Sequence, residues 1–165
     1  MNLPPYATYP NVSDDRILLR EIQEHDIENI VEISRYDGKK AKDAAEASAM
    51  QQKIHQNYLD GESIHWGIVD KETNRVVGTC GYYRGLADGA GELGCILSAA
   101  HYGKGYMTAA LQLAIDFGLK DIGLERVFAI TTQQNIKAVR LLERLGFVQT
   151  AHQEGESMEF ELPRK

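Results

Sequence analysis

Residues 101–114 read HYGKGYMTAALQLA. Gly103 and Gly105 bracket Lys104, and an apolar, alanine-rich run follows at once. Glycine loses more backbone freedom on folding than other residues, so a pair of them before a good helix needs a reason. A loop of this kind can aim several backbone N–H groups at one point. The helix behind it adds a partial positive charge at its N-terminus. The combination suits a phosphate group. Two well-known phosphate loops do not fit. The pattern G-x-x-x-x-G-K-[ST] is absent, and Thr108 stands where a dinucleotide fingerprint has its third glycine. A plain strand-to-helix turn with no ligand stays open on the loop alone.

Upstream, ILLR at residues 17–20 reads as a strand, and Ile27, Ile30, Val31 and Ile33 give helical spacing over residues 24–35, stopped by Asp37-Gly38. A second helix is expected over about residues 40–59, with Met50, Ile54 and Tyr58 four apart. Residues 64–69 and 75–83 read as strands joined by a turn at 71–74, and a Gly/Asp-rich loop leads to a strand at 92–97. The glycine loop opens a helix over about residues 105–119, with Gly118 and Gly123 marking its exit. Residues 127–131 are β-rich, Asn135 is a plausible cap for a helix to Arg144, and closing strands fall at 147–148 and 158–162. The order β-α-α-β-β-β-α-β-α-β-β describes one mixed α/β domain over residues 1–165 with a central sheet.

Residues 93–98 (LGCILS), 102–107 (YGKGYM) and 135–147 (NIKAVRLLERLGF), in that order and with those gaps, resemble the GNAT superfamily of N-acetyltransferases. The wording is closest to the RimJ/RimL branch, which acetylates protein N-terminal amines, and to its small-molecule relatives. The resemblance covers nearly the whole chain. It implies a central mixed, mostly antiparallel sheet flanked by helices, acetyl-CoA as co-substrate, and a primary amine of a small molecule or peptide as acceptor. It also admits a homodimer. An alternative of another class is a non-catalytic acyl-CoA-binding module of the same fold.

The family's loop pattern, Q/R-x-x-G-x-G/A, falls on Tyr102 to Met107, with Tyr102 and Met107 departing from it. Backbone donors need no particular side chain, so the resemblance still implies a pyrophosphate cradle at Gly103, Lys104, Gly105, Tyr106, Met107 and Thr108. It implies that Cys95, Ile96 and Leu97 pair with the pantetheine arm through backbone groups, and that Asn135 contacts the same arm. Many members place a tyrosine acid seven residues after that asparagine; here Leu142 stands there. A thiol has a pKa of about 8.5, so the leaving thiolate tolerates the loss. Glu92, on the strand beside the thioester position, is the candidate base, against a reading as a solvated strand-end carboxylate. Glu159 and Glu161 are weaker candidates. Trp66, Tyr82 and Tyr83 are weighed between core and acceptor-side roles, and Cys95 reads as an inert thiol.

Base strength bears on the acceptor. An α-amine has a pKa of about 7.7–8.0 and a lysine amine about 10.4, so freeing the latter costs roughly 3–4 kcal/mol more at neutral pH. A site without an obvious strong base suits an α-amine. The formal charge of -6 argues against nucleic-acid partners and weakly favours a cationic one. Two cysteines and five histidines form no metal-ligand spacing, so no metal is expected. No apolar run approaches the ~20 residues of a membrane span, and the first residues, MNLPPYATYP, lack the features of a signal peptide. The expectation is a cytoplasmic protein with no membrane partner.

Overall fold

Apolar side chains at Ile64, Trp66 and Ile68 alternate along one strand and set the inner face of the sheet. The computed structural model describes residues 1–164. In chain order these form β1 Val12–Ser13, β2 Ile17–Arg20, α1 Ile27–Ile30, β3 Arg35–Tyr36, β4 Lys39–Lys40, α2 Ala44–Leu59, β5 Ile64–Asp70, β6 Arg75–Tyr82 and β7 Ala90–Leu97. They continue with α3 Tyr106–Asp116, β8 Arg126–Thr132, α4 Ile136–Arg144, β9 Val148–Glu154 and β10 Ser157–Glu161.

Eight strands form one sheet in the order β1-β2-β5-β6-β7-β8-β10-β9. Every neighbouring pair is antiparallel except β7 and β8, which run parallel. This is the mixed, mostly antiparallel sheet the sequence led us to expect. Its two faces carry different cores. Leu93 and Leu97 of β7 pack into the main core with Ile64, Trp66, Tyr82 and α3 residues Ala110 and Ala114. Ile96 points the other way, to a smaller cluster built by Ile27, Ile30, Ile33 and Ala47 of the α1–α2 region. Full burial of such a side chain contributes roughly 1.5–3 kcal/mol.

Several boundaries differ from expectation. The helix expected over residues 24–35 is three short pieces: a 3-10 turn Glu24–Asp26, the four-residue α1, and a 3-10 turn Val31–Ile33. Ile30 leaves helical geometry at φ -118 and ψ 9, which breaks the run. Asp37 and Gly38 stop that segment by making a hairpin turn, with φ of 51 and 77, between β3 and β4. Asp-Gly is a favoured pair for a two-residue turn with both φ positive. α2 starts later than expected, where the Asp43 side chain accepts from the Glu46 N–H at 2.9 Å. β9 is longer than expected and pairs with β10.

The end of α3 has a specific cause. The helix passes into a π turn, Phe117–Ile122. The Tyr82 hydroxyl donates to the Ala114 carbonyl at 2.7 Å. A Cβ on Gly118 would sit 2.1 Å from that hydroxyl oxygen, so glycine makes the approach possible.

Candidate active site

The parallel strands β7 and β8 separate partway along their length. Their rungs run Ala90↔Arg126, Gly91↔Val127 and Glu92↔Phe128, and then end. Both strands continue: β7 stays paired with β6 as far as Gly78↔Leu97, and β8 with β10 as far as Ser157↔Thr132. Each strand is thus held by its outer neighbour, and the gap between them is fixed by the sheet itself.

Hydrogen-bond parity identifies the groups facing the gap. The Glu92 N–H donates to the Arg84 carbonyl at 3.0 Å, and the Ser98 N–H to the Val77 carbonyl at 2.9 Å, both toward β6. Backbone groups alternate along a strand, so those of Gly94 and Ile96 also point to β6. Those of Leu93, Cys95 and Leu97 point toward β8; Leu93 borders the last rung, and Cys95 and Leu97 lie beyond it, facing the gap. Cys95 and Leu97 therefore stand where a ligand's polar chain can pair with them. Ile96 does not: its backbone is committed to Thr79 across the β6–β7 ladder. The expected contact from Ile96 is corrected on that ground.

β7 feeds a 3-10 turn, Ala99–His101, and then the glycine loop. Gly103 has φ 76 and Gly105 φ 82, a region that favours glycine. Gly105 caps α3 with no side-chain cap. The first helical bond runs from the Ala109 N–H to the Gly105 carbonyl, 3.2 Å. The N–H groups of Tyr106, Met107 and Thr108 thus lack helical acceptors at a positive helix end. The Tyr106 side chain is buried in the main core, so only its backbone faces a ligand. Lys104 is exposed, and its carbonyl accepts from the Arg16 guanidinium, which also lies 4.1 Å over the Tyr106 ring. No sequence signal marked Arg16, because this contact closes over 88 residues of chain.

Asn135 caps α4: its Oδ1 accepts from the Ala138 N–H at 3.2 Å, leaving the amide NH2 for a ligand. The Lys137 Nζ lies 5.2 Å from the Tyr102 ring centroid, so the α4 start and the glycine loop flank one region. Leu142 is 5% exposed within the main core and offers no polar atom.

The opposite sheet face at the gap holds the titratable groups. Glu92 is 8% exposed, which removes the solvated-carboxylate reading. Burial pushes its carboxyl above the ordinary value, and the Arg84 guanidinium opposes that shift. Tyr83 and Arg84 both bond the single residue Glu92, the Tyr83 N–H donating to its carbonyl at 2.8 Å. This two-against-one pairing is a β-bulge. The Tyr83 ring covers Gly94, where a Cβ would come within 2.0 Å of it. The His65 ring centroid lies 5.9 Å from that of Tyr83, and burial lowers the imidazole pKa to about 4. Trp66 and Tyr82 are fully buried in the main core and do not line this face. Glu159 and Glu161 are engaged by Arg126 at 2.7 and 3.0 Å. Burial raises the Cys95 thiol to about 12, as suits an inert side chain.

Among the described residues, no group of three or more His, Cys, Asp or Glu could hold a metal ion. No helix there is long and apolar enough to cross a membrane.

A family model described as an acetyltransferase (GNAT) domain matches residues 16–148. The N-acetyltransferase p20 of Bacillus licheniformis is 35% identical over 106 residues, covering 64% of this chain and 60% of the relative. The N-acetyltransferase YoaA of Bacillus subtilis (strain 168) is 29% identical over 148 residues, covering 84% and 83%. Among solved structures, the ribosomal-protein-S5-alanine acetyltransferase of Vibrio fischeri superposes with a TM-score of 0.76. It is 20% identical, with 92% of this chain and 95% of that one covered, a likeness of fold.

Proposed function

Because this chain belongs to the GNAT acetyltransferase family, we propose that it transfers an acetyl group from acetyl-CoA to a primary amine by direct attack in a ternary complex. The observation that carries the proposal is the gap beyond the Glu92↔Phe128 rung, with the glycine loop at its end. The residues fit the co-substrate. Tyr106, Met107 and Thr108 N–H groups would hold the pyrophosphate, with Gly103 and Gly105 giving the loop its path and Lys104 adding charge. Cys95 and Leu97 would pair with the pantetheine arm, and the Asn135 amide would contact it. Acetyl-CoA supplies the activated acetyl thioester.

This chain's own chemistry lies at Glu92. Its carboxylate accepts a proton from the acceptor's ammonium, directly or through one water. Burial makes it a stronger base than an exposed carboxylate, with its working form above its raised pKa. A backbone N–H at Cys95 or Leu97 supports the charge developing on the carbonyl oxygen under attack. The acceptor is a primary amine, and the modest base strength favours an α-amine. All these groups come from one chain. The free thiols Cys80 and Cys95 suit a cytoplasmic setting.

The buried Leu142 favours a second reading, in which acyl-CoA binds without transfer. Free thiol released from acetyl-CoA in the presence of N-terminal peptides, polyamines, amino acids or aminoglycosides separates the two. Steady release with any amine supports the enzyme, and binding without release supports the module.

A further inference from the structure

Glu92 already has a cationic neighbour. The Arg84 Nε lies 2.5 Å from the Glu92 Oε2. The two side chains differ sharply in exposure, 76% for Arg84 and 11% for Glu92. The contact is close but poorly directed, for Glu92 Oε2 has no well-formed hydrogen bond among the described residues. A buried acceptor oxygen of this kind lacks a donor that an ammonium can supply.

We propose that Arg84 is the resident counter-ion of Glu92 and holds the place of the acceptor's ammonium, so that amine binding exchanges one cation for another at a single carboxylate. The inference rests on reading Glu92 as the group that meets the acceptor. It adds a positioning residue that neither the sequence pattern nor the loop geometry marked.

Local structure permits the exchange. The Arg84 backbone is pinned, its carbonyl accepting from the Glu92 N–H at 3.0 Å. The next residue, Gly85, has φ 89, and the Ala90 N–H donates to its carbonyl at 3.2 Å. Only the exposed guanidinium has to move. The carboxylate stays paired in both states, and two cations at one carboxylate would repel each other.

Few other charges compete. On the loop side Tyr83 has its hydroxyl pKa raised by burial and stays neutral. On β5 His65 is neutral near pH 7. On β8 Arg126 is turned to Glu159 and Glu161 of β10.

The test needs no knowledge of the natural acceptor. Wild type, Arg84→Ala, Arg84→Lys and Glu92→Gln are prepared with carbon-13 in glutamate side chains. The missing signal in Glu92→Gln assigns Glu92. Its carboxyl is titrated with pH and with alanine amide, a simple α-amine probe. In Arg84→Ala the Glu92 midpoint should rise, because burial then acts unopposed. Alanine amide should act at about two- to fivefold lower concentration, the upper range for a partly exposed ion pair. Arg84→Lys should restore both values toward wild type. Near neutral pH Arg84→Ala should melt below wild type in step with the rise in the Glu92 midpoint, and Arg84→Lys should recover most of that loss; if the alanine variant does not fold, Arg84→Gln takes its place.

Equal response to the amine with and without Arg84 overturns the exchange alone, as does weaker binding in Arg84→Ala. A Glu92 signal that alanine amide never shifts, in wild type and in Arg84→Ala alike, overturns both the exchange and the reading of Glu92 beneath it.

Discussion

The Arg16 guanidinium donates to the Lys104 carbonyl, joining the start of β2 to the glycine loop. The same group stacks over Tyr106, and a Cβ on Gly105 would sit 3.3 Å from its Nη1. Arg16 thus holds the backbone that presents the helix-start donors. Arg16→Ala should raise the KM for acetyl-CoA roughly fivefold, the worth of about one net hydrogen bond. The kcat should stay near wild type, because Arg16 is not among the groups proposed to meet the acceptor. A fall in kcat with unchanged KM would remove Arg16 from this role.

Gly105→Asp separates folding from binding. The position has φ 82, which strains a non-glycine residue by about 1–2 kcal/mol. Aspartate also favours the helix N-terminus, both as a cap and against the dipole, which offsets part of that strain. The same negative charge repels pyrophosphate. CoA affinity should therefore drop more steeply than thermal stability, compared by calorimetry and melting on the same preparation.

Tyr82 and Gly118 form a coupled pair. Tyr82→Phe removes the donor to a buried carbonyl and should cost about 1–3 kcal/mol. Gly118→Ala drives a methyl into the hydroxyl and should cost a comparable amount. With the hydroxyl gone the added methyl meets less, so the double variant should lose less than the sum. Urea unfolding of the four proteins gives the coupling directly.

Glu92→Gln should lower kcat/KM for an active amine by about 10²–10⁴-fold, as general-base loss does. CoA affinity should stay near wild type, since backbone groups elsewhere hold the co-substrate. The sign of the pH effect follows from the shift. Burial raises the Glu92 pKa and Arg84 opposes it, so the basic form is lost as pH falls through a value above that of an exposed glutamate. The acidic limb of kcat/KM should lie there in wild type and vanish in Glu92→Gln. A folded variant within about threefold of wild type across neutral pH, far short of the loss typical of a general base, would take this role from Glu92.

Legibility in the sequence followed the range of the interactions. β5, β6, β7 and β8 are long apolar strands set off by turn residues, and their positions were readable. The glycine loop was readable because positive φ leaves a mark in residue type. The α1 region misled, since Ile27, Ile30 and Ile33 keep helical spacing while the backbone breaks at Ile30. Asp37-Gly38 reads as a stop, and the hairpin it makes is hidden because the two-residue strands beside it have no pattern. At the site, the place of Glu92 on its strand is legible in the sequence, whereas its burial depends on neighbouring strands. The exclusion of Ile96 required the β6–β7 register. Arg84 could have been found by folding residues 75–97 as a hairpin and noting the bulge opposite Glu92.

The most direct test of the account is amide hydrogen exchange along β7, with and without CoA. The Cys95 and Leu97 N–H groups face the gap, and the Ile96 N–H is bonded to β6. CoA should slow exchange at Cys95 and Leu97 and at Tyr106, Met107 and Thr108, leaving Ile96 protected in both states. Slowing confined to the glycine loop, or equal changes at Cys95, Ile96 and Leu97, would contradict the claim that the gap between β7 and β8 receives the pantetheine arm.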